Sequence, residues 1–397
     1  MKQTNDKISP GYKQTEIGMI PGDWEVKRLE KICDYKNGKS FEKYVVNRGK
    51  YLLITLDSLD INGNFKKNHL KIKFFDKSLN KNDLIMILSD VAHGNFLGLT
   101  NVIPEDNKYV LNQRVGALKN IKFIQPYYLS KYINFRQKYF KNVGQGSSQQ
   151  NLGKKDILNF KVLFPSLKSE QTAIAQVLSD TGDLIEKLEK LIDKKKKIKQ
   201  GAMQELLTGK RRLPGFSGKW EVKKLGDFSH IKTGNKNNED KSADGKYPFF
   251  VRSQTVERIN SYSYDCEAIL VPGEGGIGTI FHYVNGKFDY HQRVYKISYF
   301  ANGVSGRFIY YYMLQNFNKQ ATKNSVKATV DSLRLPTFKE FELFIPNDPK
   351  EQTAIVQVLS NMDAEIEALE KERDKYQQIK QGMMQVLLTG KIRLIKN

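Results

Sequence analysis

Apolar positions recur with a helical spacing along two long stretches of the chain. From Glu170 to about Leu207 they alternate at steps of three and four, the pattern of a coiled-coil helix. The seam predicted for this stretch contains Ile174, Val177, Leu184, Leu188, Leu191, Ile198 and Ala202, with Thr181 and Lys195 as polar breaks. The seam predicted for the second stretch contains Ile355, Val358, Met362, Leu369, Tyr376, Ile379 and Met383, interrupted by Glu365 and Glu372, with Ile366 as an alternative contact.

Proline and glycine mark the ends of both predicted helices. Pro165 and Pro346 lie just upstream, and Gly209 and Gly390 lie just downstream, where helix boundaries favour these residues. Each helix of about 36 residues is roughly 54 Å long.

The charges of the two stretches favour antiparallel packing. Each stretch is acidic early and basic late, so antiparallel helices place acid beside base at both ends. Exposed ion pairs are worth only about 0.2–1 kcal/mol each, yet they can select an orientation. The alternative is that the lysine run at 194–199 is only a solvated face.

The sequence contains two tandem copies of one plan. The run that begins Trp24-Glu25-Val26-Lys27 returns from Trp220, and the run that begins Glu170-Gln171-Thr172 returns from Glu351 through a second Leu-Leu-Thr-Gly-Lys. Between these anchors the copies diverge. The predicted divisions are an N-terminal segment, a variable domain, a shared helix, a linker, a second variable domain and a second shared helix, at 1–23, 24–165, 166–210, 211–219, 220–346 and 347–397.

This plan predicts a two-headed molecule. Each variable domain leads into the start of its own helix, so antiparallel helices are expected to hold the domains at opposite ends. A separation of about 50 Å is a little over one turn of a DNA duplex, which suits a split site.

The composition points to a polyanionic partner. Lysine and arginine total 65 against 43 acidic residues, which gives a net charge of +22 and a pI near 9.6. Nucleic acid is the expected partner, because cationic side chains release counterions from phosphates; a generally basic proteome is the alternative. The two cysteines, Cys33 and Cys266, allow no disulfide framework and favour a reducing cytoplasm. Neither a secretory signal nor a membrane-spanning run is found.

Searches for catalytic and metal motifs fail. The run Gly273–Gly278 matches a dinucleotide-binding loop, but a predicted strand follows it instead of a helix. The five histidines lack metal-ligand spacing, no P-loop is complete, and no adenine-methyltransferase tetrapeptide is found. The Glu-Val-Lys runs beside each tryptophan are interpreted as structural strands. We therefore predict no catalytic residue, no metal and no cofactor in this chain.

Taken together, these motifs resemble the specificity subunits of type I restriction-modification enzymes. The residues that carry the resemblance are Ile17–Pro21 running into Trp24, the two Pro…Glu-Gln helix openings and the two Leu-Leu-Thr-Gly-Lys helix exits. The resemblance implies two target-recognition domains of mixed α/β (α+β) fold, each reading half of a bipartite asymmetric DNA site, with the helices setting the spacer. It also implies two modification subunits with S-adenosylmethionine, and two restriction subunits that use ATP and Mg²⁺.

Polar and basic residues on predicted loops are the candidate DNA contacts, because arginine and lysine suit guanine whereas asparagine and glutamine suit adenine. The first domain contributes Lys36, Asn37, Lys39, Ser40, Arg114, Gln145, Ser147, Ser148, Gln149 and Gln150. The second contributes Lys232, Asn235, Lys236, Asn237, Arg252, Ser253, Gln254, Arg293, Lys323, Asn324 and Lys327. The pairs Gln113-Arg114 and Gln292-Arg293 occur in both copies, so they are expected to contact phosphate or support structure.

Three other functions fit parts of the sequence. The chain could be a nuclease in its own right, a coiled-coil adaptor with basic heads that bind protein, or an RNA-binding protein whose aromatic residues stack on bases. The adaptor leaves the charge of +22 unexplained, and no signature of an RNA-binding module is present.

Overall fold

A computed structural model describes residues 10–91, 95–146, 149–323 and 332–395 of the chain. Its contacts divide the chain into a first unit, residues 1–187 with 373–397, and a second unit, residues 188–372. Both units mix α-helices with β-strands, as predicted. Within the described ranges, no helix is long and apolar enough to cross a membrane.

The first unit builds its domain from several small sheets. Its strands are β1 (Tyr12–Thr15), β2 (Gly18–Pro21), β3 (Trp24–Arg28), β4 (Asp34–Asn37), β5 (Tyr51–Ile54), β6 (Leu70–Ile72), β7 (Leu84–Ile87), β8 (Ser89–Val91), β9 (Thr100–Val102), β10 (Tyr109–Leu111), β11 (Val115–Lys119), β12 (Gln149–Asn151) and β13 (Lys161–Pro165). Its helices are α1 (Leu29–Ile32), α2 (Pro126–Phe135), α3 (Lys138–Val143), α4 (Lys154–Leu158) and the start of α5 (Lys168–Leu206). The largest sheet has the order β4-β11-β7-β9, beside a three-stranded sheet β10-β5-β6.

The second unit centres on one larger sheet. Its strands are β14 (Trp220–Lys224), β15 (His230–Thr233), β16 (Tyr247–Phe250), β17 (Val256–Ile259), β18 (Tyr264–Pro272), β19 (His282–Tyr290), β20 (Val294–Ser298) and β21 (Glu342–Pro346). Its helices are α6 (Leu225–Phe228), α7 (Gly306–Lys323), α8 (Leu335–Lys339) and most of α9 (Pro349–Leu387). Six strands form the order β15-β20-β18-β19-β16-β17.

Each domain is closed by the strands at its two ends. In the first unit β3 pairs antiparallel with β13, with Trp24 opposite Pro165. In the second unit β14 pairs in the same way with β21, with Trp220 opposite Pro346. The strand that begins at each tryptophan therefore lies beside the strand that leads into the long helix.

The long helices α5 and α9 run antiparallel within each unit, as their charges predicted. In the second unit Lys196 pairs with Glu370 at 2.6 Å and Lys199 pairs with Asp363, so the lower number on α5 meets the higher number on α9. In the first unit Ile174 and Leu178 share a core with Leu387 and Leu388. Gly209 and Gly390 follow the helices with positive φ angles, the conformation of a helix C-cap.

The predicted seam is correct at its start and wrong further along. Ile174, Leu188 and Ile355 are buried, and Val177, Leu184, Val358, Met362, Leu369 and Tyr376 are half-buried. Leu191, Ile198 and Ile379 are instead exposed, while Leu178, Ile185 and Ile192 are buried. Ile366, the alternative contact of the second stretch, is buried. The reason is that the buried row Leu178, Ile185 and Ile192 also repeats every seven residues, one position after the predicted Val177, Leu184 and Leu191. Residues three and four positions apart share a helix face, so the apolar spacing alone did not decide between the two rows.

A pair of equivalent buried clusters, which we call the latches, connects the helix ends. In the first unit, Arg393 donates from Nε and Nη2 to Glu170 at 2.6 and 2.7 Å and also binds Asp23. In the second unit, Arg212 donates to Glu351 at 2.5 and 2.6 Å. Each arginine follows the end of one long helix and binds the glutamate at the start of the other. Hydrogen bonding to Arg393 lowers the pKa of Asp23.

The glutamine next to each latch glutamate joins the helix start to its domain. Gln171 accepts a hydrogen bond from the Gln125 backbone N–H at 2.6 Å and donates to the Pro165 carbonyl at 2.7 Å. Gln352 accepts from the Ser305 backbone N–H at 2.8 Å and donates to Pro346 at 2.9 Å. The repeated Glu-Gln pair therefore has a structural role in both copies.

Candidate nucleic-acid interface

One polar arrangement occurs in both domains, where a loop after a strand meets a turn. We call the loop the Gly–Lys loop (residues 38–40 and 234–237) and the turn the Gln–Arg turn (residues 112–114 and 291–293). In the first unit the Gln113 N–H donates to the Lys39 carbonyl at 2.8 Å, and in the second the Gln292 N–H donates to the Lys236 carbonyl at 2.8 Å. The predicted contacts on these two segments are thus brought together in each domain.

The glycines of the two Gly–Lys loops permit this close approach. A β-carbon on Gly38 would lie 1.8 Å from the Asn112 carbonyl oxygen, and one on Gly234 would lie 2.3 Å from that of Tyr290. Neither contact is sterically possible, so any larger residue would separate the loop from the turn.

The two glutamines of the turns bind inside their own domains. The Gln113 side chain donates to Glu42 at 3.1 Å, and that of Gln292 donates to Asn237. Arg114 has an exposed side chain on a backbone with a φ of 65°, a conformation that is uncommon for a residue other than glycine. Each turn therefore holds its arginine outward, while its glutamine binds a residue in the Gly–Lys loop or two residues after it.

The remaining candidates of the first domain divide between loop and strand. Lys39 and Ser40 are exposed on the Gly–Lys loop, whereas Lys36 and Asn37 belong to β4, where Asn37 accepts a hydrogen bond from Tyr35. Gln145 is exposed.

The prediction that Gln149 and Gln150 lie on a loop is wrong. Both are half-buried in β12, opposite Val91 and Asp90 of β8. Gln145 and Asn151 exchange backbone hydrogen bonds of 3.0 and 2.8 Å, and Gly146 beside Gln145 has a φ of +121°. Gln149 and Gln150 are therefore strand residues.

The candidates of the second domain lie on one strand and in exposed segments. Lys232 is exposed within β15, Asn235 and Asn237 are exposed on the Gly–Lys loop, and Lys236 is half-buried there. Arg252, Ser253 and Gln254 are exposed two to four residues after the end of β16. Ser147, Ser148, Asn324 and Lys327 lie outside the described residues, as does the side chain of Lys323.

Basic charge is concentrated at the second domain's turn. Burial lowers the pKa of His291, and the neighbouring positive charges of Arg252 and Arg293 lower it further. The His291 ring accepts a hydrogen bond from the Arg293 backbone N–H at 2.9 Å, which suits a neutral imidazole. The site thus combines outward guanidinium groups with a neutral histidine that shapes the turn.

Comparison with known proteins gives this arrangement a context. A family model described as the type I restriction modification DNA specificity domain matches the chain twice, over residues 21–200 and 217–381. The chain belongs to the family of type I DNA specificity subunits.

Relatives of this specificity subunit come from archaea and bacteria. The type I restriction enzyme MjaVIII specificity subunit of Methanocaldococcus jannaschii is 25% identical, over 97% of this chain and 96% of the relative. The EcoDI specificity subunit of Escherichia coli is 30% identical, over 43% of this chain and 37% of the relative. The crystal structure of an S subunit from M. genitalium has the same fold, with a TM-score of 0.68, 17% identity and 98% coverage of both chains.

Several residues that organise the specificity subunit's candidate interface were missed in the sequence. Glu42 accepts hydrogen bonds from Asn112 and Gln113 of the first Gln–Arg turn, and Glu274 lies beside both Arg252 and Arg293. Glu274 belongs to the glycine-rich run Gly273–Gly278, which lies between the strands β18 and β19. The signal in the sequence that could have identified Glu274 was a glutamate within a glycine-rich run.

Proposed function

We propose that this chain supplies sequence specificity to a type I restriction-modification assembly, and that each domain reads one half of a bipartite, asymmetric DNA site. The observation that carries the proposal is the repeated pairing of a Gly–Lys loop with a Gln–Arg turn in two otherwise different domains. A structural element that occurs in both domains is suited to a feature that both halves of the DNA site share. Loops that differ between the domains are suited to reading different base sequences.

The shared and divergent residues take different parts in this proposal. Arg114 and Arg293 are the shared cations, and they bind phosphate, which positions a protein on DNA without specifying sequence. Base edges are read by loop residues that differ between the domains, such as Ser40 in the first and Asn235 in the second. The net charge of +22 supports a polyanionic ligand.

Chemistry is assigned to partner subunits. In this proposal the chain is non-catalytic alone, two modification subunits bring S-adenosylmethionine, and two restriction subunits bring ATP and Mg²⁺. The repeat supports two copies of one partner, because Ile198 and Ile379 occupy equivalent positions in the two copies and both are exposed. The helices α5 and α9 set the spacer between the two halves of the site.

A cytoplasmic location is part of the same proposal. Cys33 and Cys266 are both free thiols, and burial raises the pKa of Cys33 to about 12, so the thiol stays protonated and unreactive.

Mapping of methylated adenines tests the proposal. The purified chain is combined with its modification subunit and S-adenosylmethionine, and plasmid DNA is then sequenced for methyladenine. We expect one split, asymmetric site, with no methylation by either protein alone. Methylation by this chain alone, or a single continuous site, would contradict the proposal.

A further inference from the structure

Glu274 lies between two arginines of the second domain. Its Oε2 is 3.4 Å from Nη1 of Arg252, and its Oε1 is 3.3 Å from Nη1 of Arg293. The carboxylate side chain is 24% exposed, whereas the arginine side chains are 43% and 60% exposed. One partly sheltered anion therefore sets the separation of two cations that face outward.

The backbone around Glu274 is held at several points. The Gly273 N–H donates to the Arg293 carbonyl at 2.8 Å, and the Leu333 N–H donates to the Gly273 carbonyl at 2.8 Å. Gly275 and Gly276 have φ angles of +70° and +64°, which only glycine adopts without strain. The loop thus places the carboxylate against the Gln–Arg turn.

The segment that carries Arg252 is fixed independently. The His282 ring donates a hydrogen bond from Nε2 to the Ser253 carbonyl at 3.0 Å. Burial lowers the pKa of His282, which favours the neutral ring. Arg252 and Glu274 also line one cleft of about 400 Å³, together with Asn238, Lys241 and Glu257.

The two guanidinium groups keep the capacity to bind DNA. Each contacts Glu274 through one nitrogen, and a guanidinium offers five donors, enough for a bidentate bond to O6 and N7 of guanine. One carboxylate neutralises only half of the pair's charge, so attraction for phosphate remains. Holding arginine in place also reduces the side-chain entropy lost on binding.

Among the described residues of the first domain, no carboxylate pairs with two arginines in this way. Arg114 occupies the place of Arg293 in the shared turn, yet it forms no ion pair with any residue that the structure describes. Glu42, which contacts that turn, accepts hydrogen bonds from Asn112 and Gln113 instead. A feature present in only one domain suits a role in reading that domain's own sequence.

We propose that Glu274 is a positioning residue for base recognition, and that it orients Arg252 to read a guanine in the half-site of the second domain while Arg293 binds phosphate. This inference rests on the proposed function.

Selection from a duplex pool with randomised positions tests it, using the chain assembled with its modification subunit. The variants are Glu274→Gln, which keeps the shape, and Arg252→Ala. The matched control is Glu257→Gln, which removes the same charge from the same cleft but from a glutamate that pairs with Lys241. We expect both variants to lose preference for the same guanine by roughly 5- to 150-fold, in one half-site only.

The outcomes separate this inference from the proposed function. If the wild-type assembly selects no split site, the proposed function fails. If it selects a split site and Glu274→Gln keeps its full guanine preference, only the role of Glu274 is refuted. Equal loss in Glu257→Gln would also refute that role, because the effect would then follow from charge in the cleft. Thermal unfolding of each variant verifies that it is folded.

Discussion

Replacement of Arg393 by alanine would leave the Glu170 carboxylate buried without its main partner. The Glu170 side chain is 0% exposed, and Arg393 is 17% exposed. Breaking a buried ion pair from one side costs about 3–5 kcal/mol, and we expect about 3 kcal/mol because water can reach part of the arginine. The equivalent change in the second unit, Arg212→Ala, should have a similar cost, because Glu351 is also almost fully buried.

Two control variants isolate the buried pair. Arg211→Ala removes an exposed arginine whose Nη1 lies 3.5 Å from Glu205, and it should change the free energy of unfolding by less than about 1 kcal/mol. The double variant Glu170→Leu, Arg393→Met replaces the pair by apolar groups and should recover much of the lost stability.

Urea unfolding followed by hydrogen exchange measures both size and location of the effect. We expect Arg393→Ala to lower protection in the first unit and Arg212→Ala to lower it in the second. A loss below about 1 kcal/mol for Arg393→Ala, or no difference between it and Arg211→Ala, would refute the reasoning that the latches stabilise the units.

Three further predictions concern single side chains. Gly201→Ala and Gly382→Ala should each raise the free energy of unfolding by about 0.5–1 kcal/mol in urea titrations, because the added β-carbon meets no atom within 4 Å and alanine favours helix. Burial lowers the pKa of Lys296, which is 1% exposed, so Lys296→Met should stabilise the protein near pH 7. At pH values between the pKa of Lys296 in the folded protein and its pKa in the unfolded chain, the unfolded chain binds more protons, so the stability of the wild type rises with pH. Unfolding measured at several pH values should therefore show the stability advantage of Lys296→Met shrinking towards about pH 10.4. A difference that stays constant with pH would contradict this prediction. Arg114→Ala should weaken DNA binding for all sequences and reduce the slope of log affinity against log salt concentration by about one. Asn235→Ala should instead change the discrimination between bases in one half-site by about 1–3 kcal/mol. Filter binding at several salt concentrations measures both effects, and the reverse pattern would contradict the roles given to Arg114 and Asn235.

The long helices could be predicted from sequence because their signal is local and periodic. Apolar spacing, proline before and glycine after each helix gave their extents to within a few residues, and the charges gave their antiparallel pairing. The seam was wrong at Leu191, Ile198 and Ile379 because residues three and four positions apart share a helix face, and the buried row of α5 lies one position later than predicted, at Leu178, Ile185 and Ile192.

The latches could not be predicted, because they depend on contacts between distant parts of the chain. Nothing near Arg212 in sequence indicates Glu351, and the two meet only when the helices run antiparallel. The duplication nevertheless singled out both Glu-Gln pairs, which the structure explains by their buried hydrogen bonds.

The candidate interface was predicted in part for a similar reason. The shared Gln-Arg pairs were visible as a repeat, but the internal hydrogen bonds of Gln113 and Gln292 depend on how each loop folds. Gln149 and Gln150 look like loop residues by composition, yet they pair with Val91 and Asp90 of β8, which are distant in sequence.

Exchange of one domain tests the account's central claim most directly. Residues 24–165 are replaced by the corresponding domain of a relative with a different target, and methylated adenines are mapped with the modification subunit present. The account predicts a new sequence in one half of the site, with the other half and the spacer unchanged. A change in both halves, or in neither, would contradict the claim that each domain reads its own half.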